Sequence, residues 1–325
     1  MPARALCFAL VALLASGAVI AAEEDAKYPS RPIRFILGYP PGGASDATAR
    51  VLSAPLTGRL GQQIVIDNRG GAGGNIAAEI AARSPADGYT WFLGNNGILA
   101  TNPALYEKLP FDPLRDFATV VLVGTQPSVL VVNPALPVKS VGELISLARA
   151  KPGQLNYAST GTGTAGHLAG ELFKGLAGVD YVHIPYKGGG PAVADLVSGQ
   201  VQFMFATAAS VIPHVKSGRL RALAVSTPAR SATLPELPTI SETAIKGFDA
   251  TTWHGVVVPA RTPTAVIARI NRDINATLST AEVKDKLAAL GIEARGGTPE
   301  EFAAYLRSEI PKWAKVVRAS GAKPE

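Results

Sequence analysis

Apolar and polar residues alternate along the chain with two periods, which indicates strands and helices in turn. Short runs rich in β-branched residues are typical of strands, and apolar positions spaced three or four apart are typical of amphipathic helices. Over the first hundred residues the pattern predicts strands at 33–37, 63–67 and 89–94 and helices at 46–60 and 75–83. This order predicts an α/β fold with a mostly parallel sheet, flanking helices and right-handed crossovers.

The same alternation begins again near residue 120. It predicts further strands at 120–124, 129–133, 155–158, 181–185, 201–205, 220–226 and 251–258. It predicts further helices at 141–150, 167–176, 191–198, 211–217, 263–279, 281–290 and 299–320. The length of the chain favours two domains.

Two crossings between these domains are predicted, near 120–126 and 248–256. The first domain then comprises 23–122 and 252–325, and the second comprises 123–251. Two crossing segments make a hinge, which suits closure of both domains on a ligand. Two consecutive domains joined by one linker are also compatible with the periodicity.

The N-terminus has the three-part pattern of a cleavable secretory signal peptide. Arg4 precedes an apolar run over 5–22, and cleavage after Ala22 is predicted. A retained membrane anchor is the alternative, although the run is short and interrupted. Cys7 precedes most of the apolar run, which argues against a lipoprotein. Because Cys7 is the only cysteine, the mature chain has no disulfide and no thiolate metal site. No later segment is apolar enough to span a membrane, so a soluble periplasmic protein is predicted.

The charge balance is modestly positive, with 31 Lys and Arg against 25 Asp and Glu. The basic residues are scattered and have no interleaved aromatic residues, so nucleic-acid binding is not supported. A mild positive field favours small anionic ligands, although it also serves solubility alone.

Four glycine-rich turns each follow a predicted strand and precede a helix. They lie at 40–46, 70–75, 159–166 and 187–190. Backbone N–H groups of such turns and the positive end of the helix dipole favour a carboxylate or phosphate. Each turn alone is explained by tight-turn geometry, but four in corresponding positions favour a binding function for at least two. Ser45 and Asp46 are candidate helix caps, and Ser45 is equally a candidate ligand contact.

Other chemistry is poorly supported by the sequence. The G-x-G-x-x-G match at 161–166 lacks the acidic residue expected after the next strand, so no nicotinamide cofactor is predicted. His167 and Glu171 share a helical face without a third metal ligand, and His167 is favoured as a structural donor. No nucleophile–base pair can be assembled, so neither a catalytic residue nor a cofactor nor a metal is predicted.

The chain resembles the Bug family of periplasmic proteins, the substrate-binding components of tripartite tricarboxylate transporters. The resemblance runs from Tyr28 to the C-terminus. Its marks, in order, are YPSRPI at 28–33, PGG at 41–43 followed by Asp46 and Ala49-Arg50, NR at 68–69 with GAGGN at 71–75, LNYAS at 155–159, GHLAGE at 166–171 and VHIPYKGG at 182–189. Together they are highly specific.

The resemblance implies a two-domain type II periplasmic binding fold that closes on a small carboxylate. Backbone amides of the turns at 42–46 and 160–164 are then expected to hold the carboxylate. Known members bind citrate-like acids, dicarboxylates, acidic amino acids, nicotinate and aromatic acids, and the fold does not choose among them. The candidate ligand-binding residues are Tyr39, Gly42, Gly43, Ala44, Ser45, Asp46, Asn95, Thr160, Gly161, Thr162, Gly163, Thr164, His167, Ala206 and Thr207.

Two departures from the family pattern bear on the ligand. Members often carry Asp-Asn after the residue equivalent to Phe205, whereas this chain has Ala206-Thr207, which argues against an amino acid ligand. Members often carry Phe where this chain has His254, which can donate to a second carboxylate or simply pack.

The predicted function is therefore an extracytoplasmic receptor, not an enzyme, that delivers a di- or tricarboxylate or an aromatic acid to a tripartite transporter. A monomer is expected. A ligand sensor for a membrane kinase is the alternative, and a periplasmic hydrolase or isomerase is a weaker one.

Overall fold

The computed structural model describes residues 28–324, so the predicted signal peptide lies outside the described residues. Within this range, no helix has both the length and the apolar character needed to cross a membrane. The chain forms two β-sheets flanked by helices, which confirms the predicted α/β class.

The strands follow the predicted order closely. They are β1 (Ile33–Leu37), β2 (Ile64–Asn68), β3 (Thr90–Asn95), β4 (Phe117–Gln126), β5 (Ser128–Val132), β6 (Asn156–Ser159), β7 (Val182–Pro185), β8 (Phe203–Thr207), β9 (Arg221–Val225), β10 (Thr252–Pro259) and β11 (Glu293–Gly296).

In the part of the chain that the structure describes, nine helices follow the predicted order, and two four-residue helices, at 102–105 and 240–243, were not predicted. They are α1 (Ala44–Leu60), α2 (Asn75–Ala82), α3 (Asn102–Leu105), α4 (Val141–Ala150), α5 (Ala165–Ala177), α6 (Gly189–Ser198), α7 (Ala208–Lys216), α8 (Ile240–Thr243), α9 (Thr264–Leu278), α10 (Ala281–Ala289) and α11 (Pro299–Ser320). A 3₁₀ turn at Ala72–Gly74 precedes α2, and a π-helical turn at Gly97–Thr101 precedes α3.

Both sheets are mixed, and most strands in each share one direction. The first sheet has the order β11-β4-β10-β3-β1-β2. In it β10 runs antiparallel to β3 and β4, and β11 runs antiparallel to β4, so only β10 and β11 oppose the others. The second sheet has the order β7-β6-β8-β5-β9, and only β5 opposes its neighbours.

The chain passes between the sheets twice. It leaves the first sheet at Gln126 and enters the second at Ser128. It returns where β10 begins at Thr252. Ser226 joins the two crossing segments, because its hydroxyl accepts from the Ser128 amide at 2.9 Å and donates to the Ala250 carbonyl at 3.1 Å.

A buried carboxylate anchors the C-terminal helix to the first sheet. Glu309 of α11 is 2 % exposed. Its Oε2 accepts hydrogen bonds at 2.9 Å from the indole nitrogens of Trp253 and Trp313. It also pairs with Lys312, whose ammonium contacts Asp249 at 3.2 Å in the second crossing segment. One network therefore joins α11, β10 and the connection between the sheets.

Candidate ligand-binding cleft

A cavity of about 740 Å³ opens where the ends of the strands meet the starts of four helices, α1, α5, α6 and α7. Both sheets contribute to it, together with residues that flank the crossing segments. Among the described residues, no Asp, Glu, Lys or Arg side chain lines the cavity. Its lining residues are Tyr39, Pro40, Pro41, Gly43, Ala44, Ser45, Asn95, Gln126, Ser128, Thr160, Ala165, Gly166, Gly189, Met204, Phe205, Ala206, Thr207, Ser210, Thr252 and His254.

The first turn ends in a helix start that has no side-chain cap. Helix α1 begins at Ala44, two residues before the predicted start, and Gly43 is its N-cap. The prediction that Ser45 or Asp46 caps this helix is therefore wrong, because both lie within its first turn. A glycine cap offers no acceptor, so the N–H groups of the first turn have no intrahelical partner and are directed toward an approaching anion.

Asp46 stabilises this turn through its side-chain hydrogen bonds and does not line the cavity. Its Oδ2 accepts from the Gly42 amide at 3.0 Å and from the Arg50 guanidinium at 2.8 Å. The hydrogen bond from Arg50 holds the pKa of Asp46 below its usual range. The Gly42 amide is therefore already hydrogen-bonded within the protein. Neither Gly42 nor Asp46 is among the residues that line the cavity.

The second turn meets the same cavity at Thr160 and at the first residues of α5. This helix begins at Ala165, two residues before the predicted start, and the Thr164 hydroxyl caps it by accepting from the His167 amide. Ala165 and Gly166, the last residues of the glycine-rich turn at 159–166, line the cavity, although neither was among the candidate ligand-binding residues. Thr162, Gly163 and Thr164 instead line an adjoining cavity of about 360 Å³, and Gly161 lines neither cavity.

His167 stabilises the second turn through a hydrogen bond to its backbone. It is 4 % exposed, and its Nδ1 accepts from the Gly163 amide at 2.9 Å. The proton of the neutral ring is therefore on Nε2, which lies 3.8 Å from the Glu171 carboxylate. It stacks on His183 with ring centroids 4.0 Å apart. Desolvation by burial lowers the pKa of His167 to about 4 and also lowers that of His183. Both rings are therefore neutral near pH 7, and His167 lines neither cavity.

Tyr39 and Asn95 lie at the junction of the two cavities and line both. Burial raises the pKa of the Tyr39 phenol, and the Asn95 side chain hydrogen-bonds to it. The Asn95 Oδ1 also accepts from the Ile98 amide at 3.0 Å and so fixes the π-helical turn. Ala206 and Thr207 line the larger cavity from the end of β8.

A serine–histidine pair lies at the N-terminus of α1. The Ser45 Oγ is 3.1 Å from the Nε2 of His254, which is 209 residues away in sequence. Ser45 is 5 % exposed and His254 is 3 % exposed. Desolvation lowers the pKa of His254 to about 4, so its imidazole is neutral near pH 7. The Nδ1 of His254 is buried without a hydrogen-bond partner among the described residues.

The buried His254 ring makes stability depend on pH. It binds a proton more weakly in the folded chain, with a pKa of about 4, than at its ordinary value of 6.5. Unfolding therefore takes up protons below about pH 6.5, and stability falls as the pH falls toward 4. We expect His254→Gln to flatten the decline by up to about 1.4 kcal/mol per pH unit, measured by urea unfolding at pH 7, 6, 5 and 4.5. Parallel declines in both proteins would contradict this prediction, and agreement in slope above pH 7.5 is the control.

Comparison with known proteins identifies the family. Residues 48–322 match the model of the "Tripartite tricarboxylate transporter family receptor". Protein BugT of Bordetella pertussis is 40 % identical over 317 residues, which cover 97 % of each chain. A solved R. palustris protein with adipate is 38 % identical with a TM-score of 0.76, covering 92 % of this chain and 100 % of that one. MatC from Rhodopseudomonas palustris, solved with bound malate, is 31 % identical with a TM-score of 0.72, covering 89 % of this chain and 100 % of that one.

These matches span nearly the whole described chain, and they agree with the motifs that carry the resemblance at the level of sequence. The chain belongs to the tripartite tricarboxylate transporter receptor family.

Proposed function

We propose that this receptor captures a small organic carboxylate in the 740 Å³ cavity and delivers it to the membrane subunits of a tripartite transporter. One observation carries the proposal. The first residues of α1 and of α5 line the same cavity, so two helix N-termini face one ligand volume. Each N-terminus carries about half a positive charge.

The lining explains how an anion is held without a lysine or arginine. Backbone N–H groups at the start of α1 and α5 supply donors, and hydroxyl groups such as those of Ser45 and Thr160 add to them. In a site of low dielectric constant such fixed dipoles act strongly on a charge. Among the described residues that line the cavity there is no Asp or Glu, so no acidic side chain of the lining repels a carboxylate.

The family relatives support the same ligand class. The proteins solved with adipate and with malate both hold dicarboxylates. We propose a di- or tricarboxylate, or an aromatic acid, for this chain.

Closure of two domains is the proposed mechanism of capture. We propose that the sheets form separate domains divided at Pro127 and just before Thr252, with the Ser226 contacts at the hinge. A ligand that contacts both helix N-termini stabilises the closed form, because the open form makes only one set of contacts.

The Ser45–His254 pair has the hydrogen-bond geometry of a nucleophile and a general base, but we propose that it performs no catalysis. No carboxylate orients His254, whose Nδ1 has no partner among the described residues. A histidine with a pKa of about 4 is also a weak general base. Steady hydrolysis of p-nitrophenyl acetate that is lost in Ser45→Ala would contradict this.

Ala206 tests the ligand class. It is 5 % exposed at the end of β8 and lines the cavity. We expect Ala206→Asp to weaken adipate binding at least about tenfold, because a carboxylate a few ångströms from the ligand repels it. Affinity for an acidic amino acid should rise relative to adipate. The matched control is Ala206→Asn, which adds the same volume without charge. Equal losses in both variants, measured by calorimetry, would show that volume alone matters.

We propose that the chain acts as a monomer in the periplasm, where this receptor family works, after removal of residues 1–22. Cells that lack the chain should lose uptake of its carboxylate. Intact uptake with a lost transcriptional response would instead favour a sensor that signals to a membrane kinase.

A thermal-shift screen over carboxylic acids tests the ligand class directly. A carboxylate at a hundred times its dissociation constant should stabilise the chain by about 2.7 kcal/mol. If neutral sugars or amines raise the melting temperature and no carboxylate does, the proposal fails.

A further inference from the structure

We propose that His254 is a positioning residue that turns the Ser45 hydroxyl into a hydrogen-bond donor for the bound carboxylate. The inference rests on the function proposed above and assigns one side-chain contact within the cleft. It starts from the 3.1 Å contact between Ser45 Oγ and His254 Nε2, and from the buried Nδ1 on the other side of the same ring.

The neutral imidazole carries one proton, which leaves two arrangements. If Nδ1 holds the proton, Ser45 donates to Nε2, and a buried N–H group is left without an acceptor. If Nε2 holds the proton, His254 donates to Ser45, and Nδ1 keeps only an unused lone pair. Among backbone groups, orphaned buried N–H groups are rarer than under-satisfied acceptors, and the same preference applied to the imidazole favours the second arrangement.

The favoured arrangement frees the Ser45 hydroxyl proton. Ser45 lines the cavity at the second residue of α1, beside the uncapped amides. Its hydroxyl oxygen already accepts from His254, so its proton is directed to an acceptor in the cleft. A carboxylate oxygen held by the α1 amides is such an acceptor.

The same geometry sets a preference among ligands. A serine that donated to His254 would offer only lone pairs to the cleft and would favour an ammonium group. A serine that accepts from His254 offers a proton and favours an oxyanion. His254 therefore contributes to specificity through Ser45, without contacting the ligand.

Calorimetry on the full mature chain tests this coupling, with whichever of adipate, malate and benzoate binds the wild type. We expect Ser45→Ala and His254→Phe each to weaken binding about tenfold, the size of one hydrogen bond to a charged group. The double variant should bind as Ser45→Ala does, because both changes remove one interaction. His254→Gln, which keeps an amide donor near the Nε2 position, should restore most of the affinity.

Ser210 supplies the matched control. It also lines the cavity, but its hydroxyl donates to the Thr207 carbonyl at 2.8 Å, and within the described part of the chain it has no hydrogen bond to His254. Its replacement by alanine should therefore combine additively with His254→Phe. Additive losses for Ser45 and His254, or full affinity in His254→Phe, would overturn the inference and leave the proposed function standing.

A spectroscopic measurement keeps the test independent of folding defects and of ligand choice. Long-range ¹H–¹⁵N correlation on the ¹⁵N-histidine-labelled wild type reports which ring nitrogen bears the proton. We expect the proton of His254 on Nε2, both with and without adipate. A proton on Nδ1 would overturn the inference. Failure of all three acids to bind the wild type would count against the proposed function instead.

Discussion

Replacing Gly43 by leucine should abolish carboxylate binding and leave the fold intact. Gly43 adopts an extended conformation, with φ −84° and ψ 177°, that any residue can adopt. A Cβ there would meet only the Pro40 carbonyl oxygen, at 3.8 Å. The added side chain therefore enters the open cleft and blocks the α1 amides. Loss of two hydrogen bonds to a charged group amounts to at least about a hundredfold in affinity.

Calorimetry with adipate measures the predicted loss of binding, and a melting curve measures whether the fold is intact. Gly175→Leu is the matched control, because Gly175 is exposed on α5 and a Cβ there meets nothing within 4 Å. Its affinity should equal that of the wild type. Gly42 differs, because its φ of +88° strains any other residue and its amide donates to Asp46. Retained affinity in Gly43→Leu would exclude this turn as the anion site.

Of the substitutions predicted here to affect stability, removal of the Glu309 carboxylate should lower the free energy of unfolding most. Glu309→Ala leaves the Lys312 ammonium without its closest partner and two buried indole N–H groups without an acceptor. Breaking a buried ion pair from one side costs about 3–5 kcal/mol. Urea unfolding should show a decrease of that size in the free energy of unfolding. Glu309→Gln should lose less, because its amide oxygen still accepts from the indoles.

Glu300 provides the comparison on the same helix. It is exposed in the first turn of α11, so Glu300→Gln should cost no more than about 1 kcal/mol through the helix dipole. Equal effects at Glu300 and Glu309 would show that the buried network contributes nothing specific.

The succession of the longer helices and strands follows from local pattern, whereas the starts of the two helices that face the cleft, α1 and α5, do not. Strand β1 and helix α4 have the predicted bounds, because each is a clear periodic run between strong turn signals. Helix α1 begins earlier than predicted, because side-chain capping preferences favoured Ser45 or Asp46 whereas the structure uses Gly43. The two helical residues that the prediction omitted, Ala44 and Ser45, matter because both line the cleft.

Several short elements escaped prediction, including helices α3 and α8, and two others have clear physical reasons. Strand β11, with the sequence EARG, has no β-branched residue and is held at the sheet edge by pairing with β4. The π-helical turn at Gly97–Thr101 depends on the acceptor of Asn95 and has no periodic signature.

The cleft was only partly visible in the sequence. Glycine-rich turns indicated Gly43 and Thr160, because their spacing after strands is local. The Ser45–His254 contact joins residues that only tertiary folding brings together. Gln126, Ser128 and Thr252 flank the crossings and line the cavity. None was among the candidate residues, although the predicted crossings near 120–126 and 248–256 were a signal that could have found them.

The most direct test compares a carboxylate with its neutral amide. The acid that gives the largest thermal shift, and the matching amide, are titrated into the mature chain by calorimetry. Binding of the acid to one site per chain, with no measurable binding of the amide, is the result we predict, because two helix N-termini select for negative charge. Equal affinity for the amide would contradict the claim that this cleft is a carboxylate site.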